Sequence, residues 1–327
     1  MNNEVYSVHR VTVVVPSYKR PGDLSRCLEG LDRQQYPHFD IVIVARNTDE
    51  ETKALAAQWL ASPADYGKSV AEVSETGVLA AMRAGTDAAA GDIVAFTDDD
   101  AVPRPDWLAK LVRHYEDPRV GGAGGRDVQP GVPVKPGCAV GIVTWYGKLI
   151  GNHHVGDGPS READVLKGVN MSFRKPLAIF PRGLRGTGAQ VHFEVHMCLR
   201  ARRLGYTLVY DPDAVVDHYP AARFDEDQRG KAVPEATANA AYNLQLGILG
   251  RGGPFRAAAR LAYAALAGDR TAPGLIRLAA AWLRGERAVV SSFFPGQRGY
   301  WQGLSHWLRR PERDERHSAN VGMGDPV

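Results

Sequence analysis

The chain has 327 residues, of which 44% are hydrophobic and 24% charged. That balance excludes a disordered, collagen-like or disulfide-scaffold protein, and a chain this long buries a large core without metals or disulfides. The net charge of +3 is uneven: from Arg251 onward there are 12 arginines, no lysine and 6 acids, so the tail carries +6 and the rest −3. A basic tail on a mildly acidic body predicts an anionic surface as the tail's partner.

Cys27, Cys138 and Cys198 are far apart and form no CxxC pair, which favours a reducing compartment and argues against a zinc knuckle. The longest uncharged stretch, residues 236–250, contains Asn and Gln and is too short and polar to span a bilayer. Glu4 comes early and the first apolar run meets Pro16, so no secretory signal is read and a cytoplasmic location is expected.

In chain order, the β-branched run at 11–15 reads as a strand buried on both faces. Asp23 is the expected N-cap of a helix over 24–32, where Leu24, Cys27, Leu28 and Leu31 follow helical spacing. A second strand is predicted at 41–44, helices at about 50–60 and 79–90, and a third strand at 92–96. This alternation implies an α/β fold with a mostly parallel sheet flanked by helices. Ligands of such sheets sit beyond the carboxyl ends of the strands, which brings 16–20, 46–49 and 97–100 together. Residues 121–164, rich in Gly and Pro, read as irregular or short-stranded. A strand-like segment follows at 163–169, then a helix at 191–204 stopped by Gly205, and strands at 207–210 and 214–217. The tail reads as helical, since 254–268 and 273–285 each open with Pro and close with Gly.

Asp98, Asp99 and Asp100 are the sharpest chemical feature. Three carboxylates after a buried strand are costly unless a cation is present, and oxygen ligands of this kind suit Mg²⁺ or Mn²⁺. The same triplet also reads as a solvated acidic turn or a helix N-cap cluster. His218 ends another strand segment, where a surface or core histidine is the ordinary reading. His192 and His196 are four apart, but Glu194 would point about 200° from either on a regular helix, so the zinc-protease arrangement is rejected. Glu194 lies in the first turn of its helix, where the macrodipole favours a carboxylate; an ionised group there could equally act as a general base. The glycine run at 121–125 lacks the GK[ST] ending of a phosphate loop, and no GxGxxG follows the first strand.

Taken in order, the segments VTVVVPSYKRP (11–21), GDIVAFTDDDA (91–101), PDWL (105–108), KGVNMSFR (167–174), HFEVHMCLR (192–200) and YDPDAVVDH (210–218) resemble the family 2 glycosyltransferases and their GT-A fold. The resemblance covers roughly 10–225. It implies a catalytic domain at 1–225 with a DxD motif, followed by a helical extension at 226–327. It further implies a metal-dependent, inverting transfer of a hexosyl-type sugar from a nucleotide-diphosphate sugar to a glycan or lipid-linked acceptor, as in polysaccharide biosynthesis. Pro16, Ser17, Tyr18, Arg20, Arg46, Asp49, Arg83, Asp98 and Asp99 would then form the nucleotide-sugar site. Asp100 and His218 would hold the metal, and Gly168, Asn170 and Phe193 would line the acceptor site. Glu194 falls where the family usually has its catalytic Asp, so the base would carry one extra methylene. The sequence Arg46-Asn-Thr-Asp49 replaces the commoner acidic pair of the family.

Aromatic residues among the tail arginines suit a peripheral contact with the inner face of a membrane, or equally a cap packed on the catalytic domain or on a second subunit. Nucleic acid is not expected, because the body is acidic and no binding motif is present. Two other functions remain open from sequence: a non-catalytic nucleotide-sugar or glycan-binding protein on the same fold, and a nucleotidyltransferase.

Overall fold

The computed structural model describes residues 9–228, 231–269 and 271–309. The reading of a missing secretory signal rests partly on residues 1–8, and part of the tail's charge on Arg270, Arg310, Arg313 and Arg316; these lie outside the described residues.

The first part alternates as β1 (Val11–Ser17), α1 (Pro21–Asp32), β2 (Phe39–Arg46), α2 (Glu50–Ala61), β3 (Gly67–Val73), α3 (Val78–Ala88) and β4 (Ile93–Thr97). It continues with β5 (Ala101–Pro103), α4 (Trp107–Val112), β6 (Val120–Val128), the short hairpin β7 (Ile142–Val143) and β8 (Leu149–Ile150), β9 (Arg161–Glu162) and β10 (Asn170–Arg174). Then come α5 (Phe193–Arg203), β11 (Thr207–His218), α6 (Pro234–Leu249), α7 (Pro254–Leu266), α8 (Leu275–Leu283) and α9 (Arg287–Arg309).

The main sheet has the order β3-β2-β1-β4-β10-β6-β11-β5, with β9 paired to β11. Strands β3, β2, β1 and β4 are parallel, β10 runs antiparallel between β4 and β6, and β11 is parallel to β6. Alternate residues of β1 enter opposite cores. Val11, Val13 and Val15 pack with Leu24 and Leu28 of α1, Trp59 of α2 and Trp107 of α4. Val14 packs on the other side, with Leu79 and Met82 of α3, Val195 of α5 and Leu244 and Ile248 of α6. The continuous β-branched run is therefore explained by burial on both faces, as expected of a covered parallel sheet.

Several expectations are corrected. Arg20, not Asp23, stands at the N-cap of α1, because Pro21 fits the first helical position; Asp23 lies in the first turn. The glycine run at 121–125 is not irregular but part of β6, between β10 and β11. A Cβ on Gly125 would lie 1.7 Å from the carbonyl oxygen of Ala214, and one on Gly124 2.6 Å from that of Asn170. Glycine is thus required by the close approach of neighbouring backbones. The strand expected at 163–169 is not formed: those residues connect β9 to β10, which begins at Asn170. Segments 207–210 and 214–217 form one strand, β11, with a register shift between Asp211 and Val215. β3, not predicted, pairs with β2. The two tail helices end sooner than expected, at Leu266 and Leu283, and are flanked by α6 and α9. Among the described residues no helix is long and apolar enough to cross a membrane.

Candidate active site

The carboxyl ends of β1 and β4 and the segment after β11 converge on one open cleft of about 820 Å³. Pro16, Ser17, Tyr18, Arg20, Arg46, Asp98 and Asp100 all line it. Segment 222–227, which follows β11, forms the opposite wall with Arg223, Phe224, Asp225 and Asp227. Its position follows from backbone pairing: the amide of Tyr219 donates to the Asp100 carbonyl, and the amide of Ala221 donates to Asp100 Oδ2 at 2.8 Å. The Arg46 guanidinium lies 3.6 Å from the centroid of the Tyr18 ring and donates to both oxygens of Asp225 at 3.2 and 3.0 Å. Phe224 meets Tyr18 edge to face. Cation, aromatic ring and carboxylate together make a flat polar wall.

At the cleft floor, one ligand atom each from Asp98, Asp100 and His218 lies within 4.8 Å of the others. Two carboxylates and an imidazole are a donor set that fits a divalent cation such as Mg²⁺ or Mn²⁺. Neighbouring charges hold the set in place. Arg20 Nη2 is 2.8 Å from Asp99 Oδ1 and Nη1 is 3.2 Å from Asp100 Oδ2. His218 presents Nε2 to Asp100 at 3.4 Å and Nδ1 to Asp127 at 3.3 Å. A carboxylate behind a histidine fixes the ring and directs its other nitrogen into the site. Asp127 is itself paired with Lys167.

The protonation states follow from burial set against these partners. Burial and the Asp100 charge raise the Asp98 carboxyl, against His218 and Arg20. Burial pushes Asp99 up to about 7 despite Arg20. Burial would also raise Asp100, but His218 and the Ala221 amide hold it well below the usual range. Burial disfavours a charged His218, yet Asp100 and Asp127 outweigh it and raise the imidazole to about 9. Burial likewise opposes the ionised form of Asp127, and His218 and Lys167 hold it at about 2.

Glu194 opens α5. His192 stands at the helix N-cap in the left-handed region, at φ 75°, and turns the chain so that Phe193 enters the core. Burial raises the Glu194 carboxyl to about 7, with Lys167 opposing and Asp98 reinforcing the shift. Glu194 does not line the cleft, but the charges of Lys167 and of Asp98 at the cleft floor act on it. A carboxyl poised near neutrality suits general base catalysis.

Other predicted site residues fall elsewhere. Asp49 is buried as the cap of α2, accepting from the Thr52 amide at 3.2 Å, the Thr52 hydroxyl at 2.7 Å and the Lys19 amide; it does not line the cleft. Arg83 is exposed on α3 and also stands outside the lining. Asn170, expected at the acceptor site, is fully buried. Its amide donates to the carbonyls of Arg126 and Ala214, and its oxygen accepts from the Trp107 indole at 2.8 Å, so it ties β10 to β6, β11 and α4. Gly168 lies under the Phe193 ring, where a Cβ would come within 3.0 Å of it. Sequence reasoning missed Asp127, Lys167 and 222–227. Lys167 was visible as the first residue of a quoted motif, whereas Asp127 and 222–227 carry no pattern of their own.

The family model described as Glycosyl transferase family 2 matches residues 12–135. The chain is 27% identical over 222 residues to the glycosyltransferase AglE of Haloferax volcanii, covering 66% of this chain and 68% of that protein. It is 28% identical over 222 residues to the glucosyl-dolichyl phosphate glucuronosyltransferase of the same organism, covering 64% and 69%. Among solved structures, it resembles the mannosyltransferase PcManGT of Pyrobaculum calidifontis in complex with GDP-Man and Mn²⁺, with a TM-score of 0.53, 19% identity and coverage of 92% and 87%. It also resembles S. aureus TarS in complex with UDP-GlcNAc, with a TM-score of 0.57, 14% identity and coverage of 86% and 79%. The match of residues 12–135 to the family model, the curated glycosyltransferase relatives and the GT-A architecture together support a family 2 glycosyltransferase.

Proposed function

We propose that the chain is an inverting glycosyltransferase that moves a sugar from a nucleoside-diphosphate sugar to a hydroxyl of a glycan or lipid-linked saccharide. The observation that carries this reading is the convergence of Asp98, Asp100 and His218 at the cleft floor, with the Asp98 charge acting on the near-neutral carboxyl of Glu194. In this reading the wall of Tyr18, Arg46 and Asp225 receives the base and ribose, and Arg20 and Arg223 face the phosphates. A divalent cation held by Asp98, Asp100 and His218 would neutralise charge developing on the diphosphate leaving group. Glu194 takes the proton of the acceptor hydroxyl, whose oxygen attacks the anomeric carbon opposite the leaving diphosphate, so the configuration inverts. The donors carried by the solved relatives, GDP-Man and UDP-GlcNAc, support a nucleotide sugar as the donor class here.

The helices after residue 226 form the extension in this reading, and their outer surface supports a peripheral membrane contact. Leu275, Trp282 and Leu283 of α8 are 57%, 72% and 77% exposed, beside Arg277, Arg284 and Arg287. Exposed aromatic and aliphatic side chains flanked by arginine suit an anionic lipid interface.

The test of the base is Glu194→Gln, which preserves shape and removes the proton acceptor. Transfer should fall by roughly 10²- to 10⁴-fold while nucleotide binding persists. Transfer at the wild-type rate would remove Glu194 from the mechanism.

A further inference from the structure

A second cavity, of about 1,240 Å³ including its open mouth, lies between the β7–β8 hairpin, α6, α7 and α8. Leu149, Leu244, Tyr263, Ile276 and Ala280 give it a mainly apolar wall. Lys148 and Arg277 also line it, and neither has an ion-pair partner among the described residues. Asp269 borders it too, but its carboxylate is engaged by Arg260 at 2.8 Å. The lining thus combines an apolar wall with a surplus of positive charge.

The cavity's place relative to Glu194 gives it a function. His192 lines it and stands at the N-cap of α5, two residues before the proposed base. Its Nδ1 is buried with no hydrogen-bond partner among the described residues. The charges acting on His192 are those of Asp269 and Arg260, on the side of the C-terminal helices. Those acting on Glu194 are Lys167 and Asp98, on the donor side. His192 thus faces the apolar cavity, while Glu194, two residues on, feels the charge of Asp98, which lines the nucleotide cleft.

We propose that this cavity holds the hydrocarbon chain of an acceptor built on a lipid phosphate. Lys148 and Arg277 meet the phosphate, and the saccharide hydroxyl reaches Glu194 around the 192–194 turn. This rests on the glycosyltransferase reading above and narrows its acceptor to one class. An apolar wall rewards a hydrocarbon chain in proportion to the area it covers, whereas a free glycan would leave that wall wet. The two basic side chains select an anionic head over a neutral alcohol.

Calorimetric titration with geranyl phosphate below its micelle concentration, with geraniol and with inorganic phosphate tests the proposal. It is run on wild type, Ile276→Asp and Ala280→Trp, each also titrated with nucleoside diphosphate and Mn²⁺. Ile276 is 65% exposed, so the aspartate variant leaves the packing intact even if the tryptophan variant does not fold. Geranyl phosphate should bind wild type more tightly than either fragment, and at least tenfold more weakly to each folded variant, with nucleotide binding unchanged. Equal binding by wild type and Ile276→Asp, or no binding by a wild type that binds nucleotide, overturns the cavity assignment. Loss of nucleotide binding alone, with geranyl phosphate still bound and still sensitive to Ile276→Asp, would instead sink the donor reading and leave the cavity standing.

Discussion

Glu194 has its usual carboxyl raised by burial to about 7, and both activity and stability inherit that value. As a base it must be ionised, so kcat/KM for transfer should rise with unit slope up to about pH 7 and then level. Stability has the opposite sign. An acid whose folded-state value is raised binds its proton more tightly when folded, so ionising it weakens the fold as pH climbs from its unfolded range through 7. Glu194→Gln should therefore match wild type near pH 4 and exceed it by on the order of 3 kcal/mol at pH 8, read as the denaturation midpoint at each pH. A variant less stable than wild type at both pH values would contradict this account. Asp127 acts one step further from the cleft. It sets the His218 ring and is held by Lys167, so Asp127→Asn should lower Mn²⁺ affinity in the presence of nucleotide by roughly 10- to 100-fold. An unchanged affinity would leave Asp127 as a packing residue only.

Among elements, β6 carries the sharpest constraint. Its glycines lie against the Asn170 and Ala214 carbonyls, where the register of β11 shifts. A methyl at Gly125 has no flexible side chain to displace, only backbone, so Gly125→Ala should destabilise by about 3 kcal/mol or more. Thermal melting checks it, and a change below about 0.5 kcal/mol would mean that β11 yields easily. The same strand shows why part of the fold was not legible. β1 announced itself because five consecutive β-branched residues, four of them valine, are buried between two cores, whereas glycine has no side chain to reveal a period of two. β3 is half-exposed beyond β2 and includes Lys68 and Glu72, so its pattern resembles a loop. Within the candidate site, the convergence of Asp98, Asp100 and His218 was readable because each sits at a fixed place in a motif. Asp127, Lys167 and 222–227 contribute through space, by pairing with side chains or backbone distant in sequence. Asn170 misled because a motif position does not reveal that all its donors are used between strands.

Across the whole molecule, the C-terminal helices are continuous with the catalytic core. Leu244 and Ile248 of α6 share a core with Met171, Phe173 and Val195. Arg260 of α7, 1% exposed, donates to the Gly147 carbonyl at 2.9 Å and to Gln245 at 2.8 Å. A buried guanidinium held this way ties the C-terminal helices to the β7–β8 hairpin, so the candidate cleft, Glu194 and the apolar cavity form parts of one packed body. The donor site is the claim on which the others depend. Its most direct test is calorimetric titration with UDP, GDP and dTDP, with and without Mn²⁺, on wild type and Asp100→Ala. The account predicts that one nucleotide binds tightly, only with the metal, and that Asp100→Ala abolishes the metal dependence along with the affinity. Failure of every diphosphate to bind wild type, or equal binding by Asp100→Ala, would contradict it.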